Sequence, residues 1–310
     1  MGHKGRGARY HPVRGLIEDA LHVLYRSGWA ARMCFDLGLS AQVYTVEHEV
    51  EAAAWPAGVP PLRVAFGSDF HAGPTTDPRL LQRACQALCD ARPDVLLLGG
   101  DFVFLQAGYI DPLAEAFSRV PAPLGRFAVL GNHDLWADDR HIVRKLGEAG
   151  VEVLVNRSAR LPPPYDHVSI CGLDDPWTGR PDAEVAFAGA GATRILLMHA
   201  PAGLLSVGAR PFDLAFCGHT HGGHIALPGG VAVVAPGPLS RRYSHGRHAM
   251  GRKDQGPLLV SRGIGGIEVP LRLFAAPDVI SCRFGQFSDA REAANSRQRG
   301  NSGDCPMPFR

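Results

Sequence analysis

Three short apolar runs, at 63–67, 94–98 and 126–130, each lead straight into a turn carrying acidic, amide or imidazole side chains. Between them lie 77–91 and 109–119, whose apolar residues recur at helical spacing; in the first, Leu80, Leu81, Ala84, Ala87 and Leu88 share one side. Short apolar runs bounded by glycine suit buried strands, and a recurrence of three and four suits helices. Strands alternating with helices imply a layered α/β fold with parallel pairing. In open sheets of this kind the loops beyond the carboxyl ends of the strands converge, so the polar side chains there are expected to meet.

Five motifs occupy such positions, in the order Asp69-Phe70-His71, Gly100-Asp101, Gly131-Asn132-His133-Asp134, His199 in Leu-Met-His-Ala, and Gly218-His219-Thr220-His221. A lone Gly-Asp or Asp-x-His is ordinarily a turn; five in order at strand ends are not accounted for by turns. Asp69, His71, Asp101, Asn132, His199, His219 and His221 supply seven oxygen or nitrogen ligands. Two metal ions are served only if one carboxylate is shared, and Asp101, central and flanked by Gly99 and Gly100, is the best bridge. Asp69, His71, Asp101 and His221 then hold one ion, and Asp101, Asn132, His199 and His219 the other. Mixed nitrogen and oxygen ligation suits Mn, Fe, Zn, Co or Ni and needs no thiolate. Two such ions activate a shared water and clamp phosphoryl oxygens, so a bridging hydroxide attacking phosphorus is the expected nucleophile. His133 follows Asn132 and must point elsewhere, towards substrate, as an acid or transition-state stabiliser. Asp134 is expected to orient His133 and raise its pKa.

Beyond residue 150 the chain becomes strand-rich, with runs at 151–155, 167–171, 194–198, 213–217 and 224–227, then at 231–235, 257–261, 269–274 and 278–284. A second sheet packed face to face on the first is expected there. Residues 42–50 alternate as an edge strand. The chain divides into a disordered basic start at 1–14, an amphipathic helical segment at 15–41, a catalytic domain at 42–285 and a disordered tail at 286–310.

Several classes are excluded. Hydrophobic residues make up 45% and charged residues 20% of 310 residues, which rules out global disorder. A formal net charge of +2 is too small to make nucleic acid an obligate partner. No run approaches the length of a spanning helix, and no signal peptide is visible. The odd count of seven cysteines, without paired zinc-type spacing, reads as reduced thiols in a cytoplasmic protein. Two readings stand for 15–37: a helix packed on the main domain, or an interfacial helix placing Arg26, Trp29 and Arg32 at a membrane surface. Phe102 and Phe104 are either core or the wall of an apolar groove, and Asp174-Asp175-Pro176 either a capped turn or a route to the metals through water. No protein partner is evident.

The five motifs resemble the calcineurin-like metallophosphoesterase superfamily, whose pattern runs D-x-H, G-D, G-N-H-[DE], H, G-H-x-H. The resemblance covers about residues 45–285. It implies a four-layer α/β/β/α sandwich of two mixed β-sheets flanked by helices, the ligand set given above, and His133 as the catalytic histidine that is not a ligand. Gly172-Leu173-Asp174-Asp175-Pro176-Trp177, Gly222-Gly223 and Val260-Ser261-Arg262-Gly263-Ile264-Gly265 look most like the bacterial YkuE-like branch. Members there often carry an N-terminal membrane anchor, and some relatives act on lipid-linked substrates; here the amphipathic 15–37 stands in that place. The protein Ser/Thr phosphatase branch fits less well, because Asp101-Phe102-Val103-Phe104 lacks its Asp-Arg-Gly. The expected activity is that of a binuclear metal-dependent phosphoesterase, foremost a phosphodiesterase, acting on a small-molecule or lipid-linked phosphoester. The alternatives are a membrane-surface hydrolase of a UDP-diacylglucosamine-type pyrophosphate and a non-catalytic scaffold. The place expected is the cytoplasm, or the inner face of the membrane.

Overall fold

The computed structural model describes residues 5–228, 231–233 and 235–287. The first stretch of strands is β1 (Tyr44–Glu51), β2 (Leu62–Gly67), β3 (Val95–Leu98), β4 (Arg126–Ala128) and β5 (Val151–Val153). There follow β6 (Arg157–Arg160), β7 (Val168–Gly172), β8 (Thr193–Leu197) and β9 (Leu214–Cys217). A small ribbon of β10 (Ala226–Leu227) and β11 (Val231–Ala232) precedes β12 (Gly246–His248), β13 (Leu258–Val260) and β14 (Asp278–Gly285). Two six-stranded sheets result, ordered β1-β14-β2-β3-β4-β5 and β12-β13-β9-β8-β7-β6. Both are mixed. In the first, β2 to β5 run parallel while β14 lies antiparallel to β2; in the second, β7, β8, β9 and β13 run parallel, with β6 and β12 antiparallel at the edges.

Alternation along the strands separates the layers, since successive side chains leave opposite faces of a sheet. Val64, Phe66, Val95 and Leu97 point into the space between the sheets and meet Ile170, Ile195, Leu197 and Phe216 from the other side. Their neighbours Ala65, Leu96 and Leu98 face outward onto α3 (Pro78–Asp90), α4 (Ile110–Arg119) and α6 (Asp139–Glu148), which bring Leu81, Leu88, Phe117, Ile142 and Leu146. On the far side Leu196, Ala215 and Cys217 pack with Ala183 and Ala186 of the short α7 (Ala183–Phe187) and with Val207. Helix, sheet, sheet, helix is the four-layer arrangement expected. Asp77 starts α3 by accepting from the Arg79 backbone N–H at 2.8 Å, with Pro78 in the first turn, where its missing donor costs nothing.

Three features depart from expectation. Segment 278–284 does form a strand, but in the first sheet, where β14 fills the space between β1 and β2. Most of 269–274 is irregular, with a single bridge between Leu273 and Ile225. The helical segment breaks at Ser27 and Gly28, both with positive φ, into α1 (Pro12–Leu24) and α2 (Trp29–Asp36). α2 buries Ala30, Ala31, Cys34 and Phe35, whereas α1 leaves Val13, Leu16, Ile17, Val23 and Leu24 exposed. The expected tail lies almost wholly outside the described residues. The expected disordered start reaches into them: from Arg6 onward it is hydrogen-bonded to the catalytic loops.

Candidate metal centre

β2, β3, β8 and β9 end in the loops that carry Asp69, His71, Asp101, His199, His219 and His221, and the third motif, with Asn132 and His133, follows β4. Backbone bonds continue the pairing past the strands: Asp69 N–H donates to Gly100, His71 N–H to Asp101 and Gly218 N–H to His199. Asp69, His71, Asp101, His219 and His221 all adopt φ between 44° and 70°. That left-handed conformation costs an L-residue about 1–2 kcal/mol and concentrates at functional sites. Glycine makes the close approach possible. A Cβ on Gly131 would lie 2.2 Å from Asp101 Oδ1, and one on Gly100, itself at φ 87°, would lie 2.4 Å from the Gly131 nitrogen.

All seven expected ligands come together, and each is at most 5% exposed. His71 Nε2 stands 3.1 Å from His221 Nε2, with Asp69 Oδ1 3.5 Å from the latter. His219 Nδ1 stands 3.0 Å from His199 Nε2, which is 3.2 Å from Asn132 Oδ1. Between the two groups, Asp101 Oδ2 is 3.6 Å from His71 Nε2 and 3.4 Å from His199 Nε2. Asp69–His71–His221, Asp101–His199–His219 and His71–Asp101–His133 can each offer one ligand atom per residue within 4.8 Å of the others.

Electrostatics suit cations at this place. Burial pushes His71 and His219 down to about 3, so both rings are neutral and present lone pairs, the form that binds a metal. His221 is held well below its ordinary value by burial and by the Arg272 guanidinium, which lies 2.8 Å from its Nδ1. Burial, with Asp101 nearby, raises Asp69 to about 6. The carboxyl groups of Asp69 and Asp101, buried among these rings, give a donor set of nitrogen and oxygen atoms that fits transition-metal ions.

His133 lies at the mouth. Its ring stands against those of His71, Phe104 and Trp136 at centroid distances of 4.8, 5.3 and 5.4 Å. Burial holds it well below the usual histidine range, with Asp101 opposing and Arg14 reinforcing the shift. Asp134 does not serve as its orienting partner. The Asp134 carboxylate accepts from the backbone N–H groups of Phe102 (2.8 Å), Val103 (3.3 Å) and Gly131 (3.0 Å), so it ties the loop after β3 to the loop after β4. The side chain at the third helical position points back at its own N-cap, which turns it away from the neighbouring ring.

The open alternatives resolve as follows. Phe102 and Phe104 are fully buried. Asp175 caps a turn through Trp177 N–H and Thr178 N–H, and Asp174 receives both nitrogens of the Arg6 fork at 2.7 and 2.6 Å. His224 is not in a strand; its ring contacts His221 and its Nε2 lies 2.9 Å from the Val269 carbonyl. In the stretch 241–248, rich in arginine and histidine, the Ser244 carbonyl accepts from Thr220 Oγ1. Two residues escaped the sequence reading. Arg272 sits in an irregular segment with no motif, and Arg14 lies 119 positions from the histidine it reaches.

The calcineurin-like phosphoesterase family model matches residues 62–223, which span all five motifs. This chain belongs to the calcineurin-like phosphoesterase family. As a member it is a metal-dependent phosphoester hydrolase. It is 31% identical to Phosphodiesterase YaeI of Escherichia coli (strain K12) over 71% of this chain and 80% of that protein. It is 27% identical to the uncharacterized metallophosphoesterase YkuE of Bacillus subtilis (strain 168) over 76% and 84%. UDP-2,3-diacylglucosamine pyrophosphatase LpxG of Chlamydia trachomatis is 28% identical over 54% of this chain and 65% of its own length.

Proposed function

We propose that the chain is a phosphodiesterase with two divalent transition-metal ions, drawn from Mn, Fe, Zn, Co and Ni. Asp69, His71, Asp101 and His221 hold one ion, Asp101, Asn132, His199 and His219 the other, and Asp101 is the bridge. When bound, the ions supply a water-derived nucleophile and positive charge for the phosphoryl oxygens. The net reaction would form a P–O bond from water and break the P–O bond to the leaving group, whose oxygen takes the proton that the attacking water gives up. His133, neutral by burial, donates its ring N–H to a phosphoryl or leaving oxygen; an anionic substrate beside it raises its proton affinity.

The observation that carries a diester rather than a monoester is a pair of cavities that meet at His133. One, of about 500 Å³, runs past Asp101, Asn132, His219 and His221 towards Ile225 and Ile267. The other, of about 540 Å³, lies beyond Trp136, against Leu105, Gln106 and His141. A diester has an organic group for each; a monoester fills one. The similarity to Phosphodiesterase YaeI supports the same reading. The test compares bis(p-nitrophenyl) phosphate with p-nitrophenyl phosphate on manganese-loaded protein. We expect the diester to have the higher kcat/KM and His133→Ala to lower it by about 10²-fold or more. A monoester preference, or an unchanged His133→Ala rate, contradicts the proposal.

One observation favours a second reading, a lipid-linked pyrophosphate. Ile225, Val233, Pro236 and Ile267 line the first cavity, and α1 exposes an apolar face next to it. The similarity to LpxG points the same way. Contact of α1 with the cytoplasmic face of a membrane belongs to this reading. Co-flotation of the protein with anionic phospholipid vesicles, lost in Leu16→Glu/Leu24→Glu, is its expected result; no flotation of the unaltered chain counts against it. Among the described residues no helix is long and apolar enough to cross a membrane.

A further inference from the structure

The segment before α1 is bound to the loop at 174–178 and to the helices that follow Asn132. Arg6 forms a two-pronged pair with Asp174 and a second contact to Asp139 at 3.2 Å. Gly7 N–H donates to Leu135 and Ala8 N–H to Thr178, while Trp136 Nε1–H donates to the Ala8 carbonyl. The fit is close: a Cβ on Gly5 would stand 2.0 Å from the Leu135 oxygen. Leu135 and Trp136 belong to α5 (Asn132–Trp136), so the segment is stitched to the element that carries Asn132 and His133, two of the site's side chains.

This stitching determines where Arg14 falls. Its guanidinium lies 3.9 Å over the Trp136 ring, its Nε–H donates to Glu18 Oε1 at 2.8 Å, and one terminal nitrogen stands 3.5 Å from His133 Nε2. It lines the same cavity as Asp101, Asn132, His219 and His221. The aromatic face and the carboxylate fix the fork, leaving its outer edge towards the space a phosphoryl group would enter. A planar guanidinium presents paired donors matched to two oxygens of a phosphate.

We propose that Arg14, delivered from the N-terminal segment, is a substrate-binding residue that clamps the phosphoryl oxygens opposite the metal ions. The inference rests on the phosphoesterase reading of the same site and adds a residue outside the five motifs. Arg14 works beside His133: the ring donates one hydrogen bond and the guanidinium supplies the charge. Arg6 is a positioning residue, acting on substrate only by holding the segment that carries Arg14.

The test uses the full chain loaded with manganese. Inorganic phosphate binding is measured by calorimetry, kcat/KM with bis(p-nitrophenyl) phosphate, and bound metal and melting temperature for each variant. Arg14→Ala is expected to weaken phosphate binding and lower kcat/KM by about 10- to 100-fold each, with metal content unchanged, and Arg14→Lys to recover part of both. Arg6→Ala, which leaves Arg14 in the chain, is expected to weaken phosphate binding in the same direction. The proposal is overturned if Arg14→Ala binds phosphate within twofold of the unaltered protein, whether or not its melting temperature falls. It is also overturned if Arg14→Lys recovers neither readout. An unaltered chain that binds phosphate in an Arg14-dependent way yet hydrolyses no ester would sink the phosphoesterase reading and leave the clamp standing.

Discussion

Asp101 Oδ2 faces His71 Nε2 at 3.6 Å and His199 Nε2 at 3.4 Å, so one carboxylate looks into both halves of the centre. Burial alone would raise its pKa, but His199, itself pushed up by Asp101 and Asp69, holds it well below the ordinary carboxylate value. It stays charged, as the proposed bridge must. Asp101→Asn is therefore expected to lose at least one bound metal per chain and about 10²-fold or more in kcat/KM, read by elemental analysis and by hydrolysis of the aryl diester. Asp134 differs in kind. Its oxygens accept from three backbone N–H groups, so Asp134→Asn sets an amide against donors and is expected to cost about 1–3 kcal/mol in denaturant unfolding. Were Asp134 the orienting partner of His133, that substitution would instead shift the pH profile of kcat at unchanged stability.

At the scale of elements, each ligand loop hangs on a strand whose inner face is locked between the sheets. Phe66 and Phe216, on the strands preceding the first and last motifs, meet ring to ring at 5.2 Å. Phe216→Ala is expected to destabilise the protein by about 3–5 kcal/mol in urea unfolding, because both rings are fully buried. A loss under 1 kcal/mol would mean that the two sheets are not coupled there. Strands β1 to β5, β7 to β9 and β13, helices α3, α4 and α6, and the convergence of the seven candidate ligand residues were legible in sequence because their signals are local: apolar runs, helical spacing, a motif at each strand end. The strand β14 was assigned to the wrong sheet because pairing with β1 and β2 joins residues more than 200 positions apart, which no window of sequence reports. Arg14 was hidden for the same reason. In the sequence it is one basic residue among several in the N-terminal stretch, and the contacts of Arg6, Gly7 and Ala8 with distant loops place it at His133. Asp134 was misjudged because adjacency in sequence to His133 says nothing about direction in the first turn of a helix.

For the whole molecule, burial separates solvent from two thiols outside the candidate metal centre, Cys171 and Cys282. Burial pushes Cys171 and Cys282 up to about 12. In the unfolded chain a thiol ionises near 8.5, so the stabilisation is complete below that pH and is lost as pH rises from about 8.5 towards 12. Each thiol then costs about 2 kcal/mol by pH 10. Thermal melts between pH 8 and 10 are expected to show this decline, and the double variant Cys171→Ala/Cys282→Ala to show a shallower one. Equal slopes would mean that neither thiol is held neutral by the fold.

The central claim is that seven buried side chains from five loops hold two metal ions bridged by Asp101. Elemental analysis of the full chain, loaded with manganese and then freed of unbound ion, tests it directly. Two manganese ions per chain in the unaltered protein are predicted; fewer than one bound transition metal per chain would contradict the account and favour a fold that has kept its shape without its chemistry.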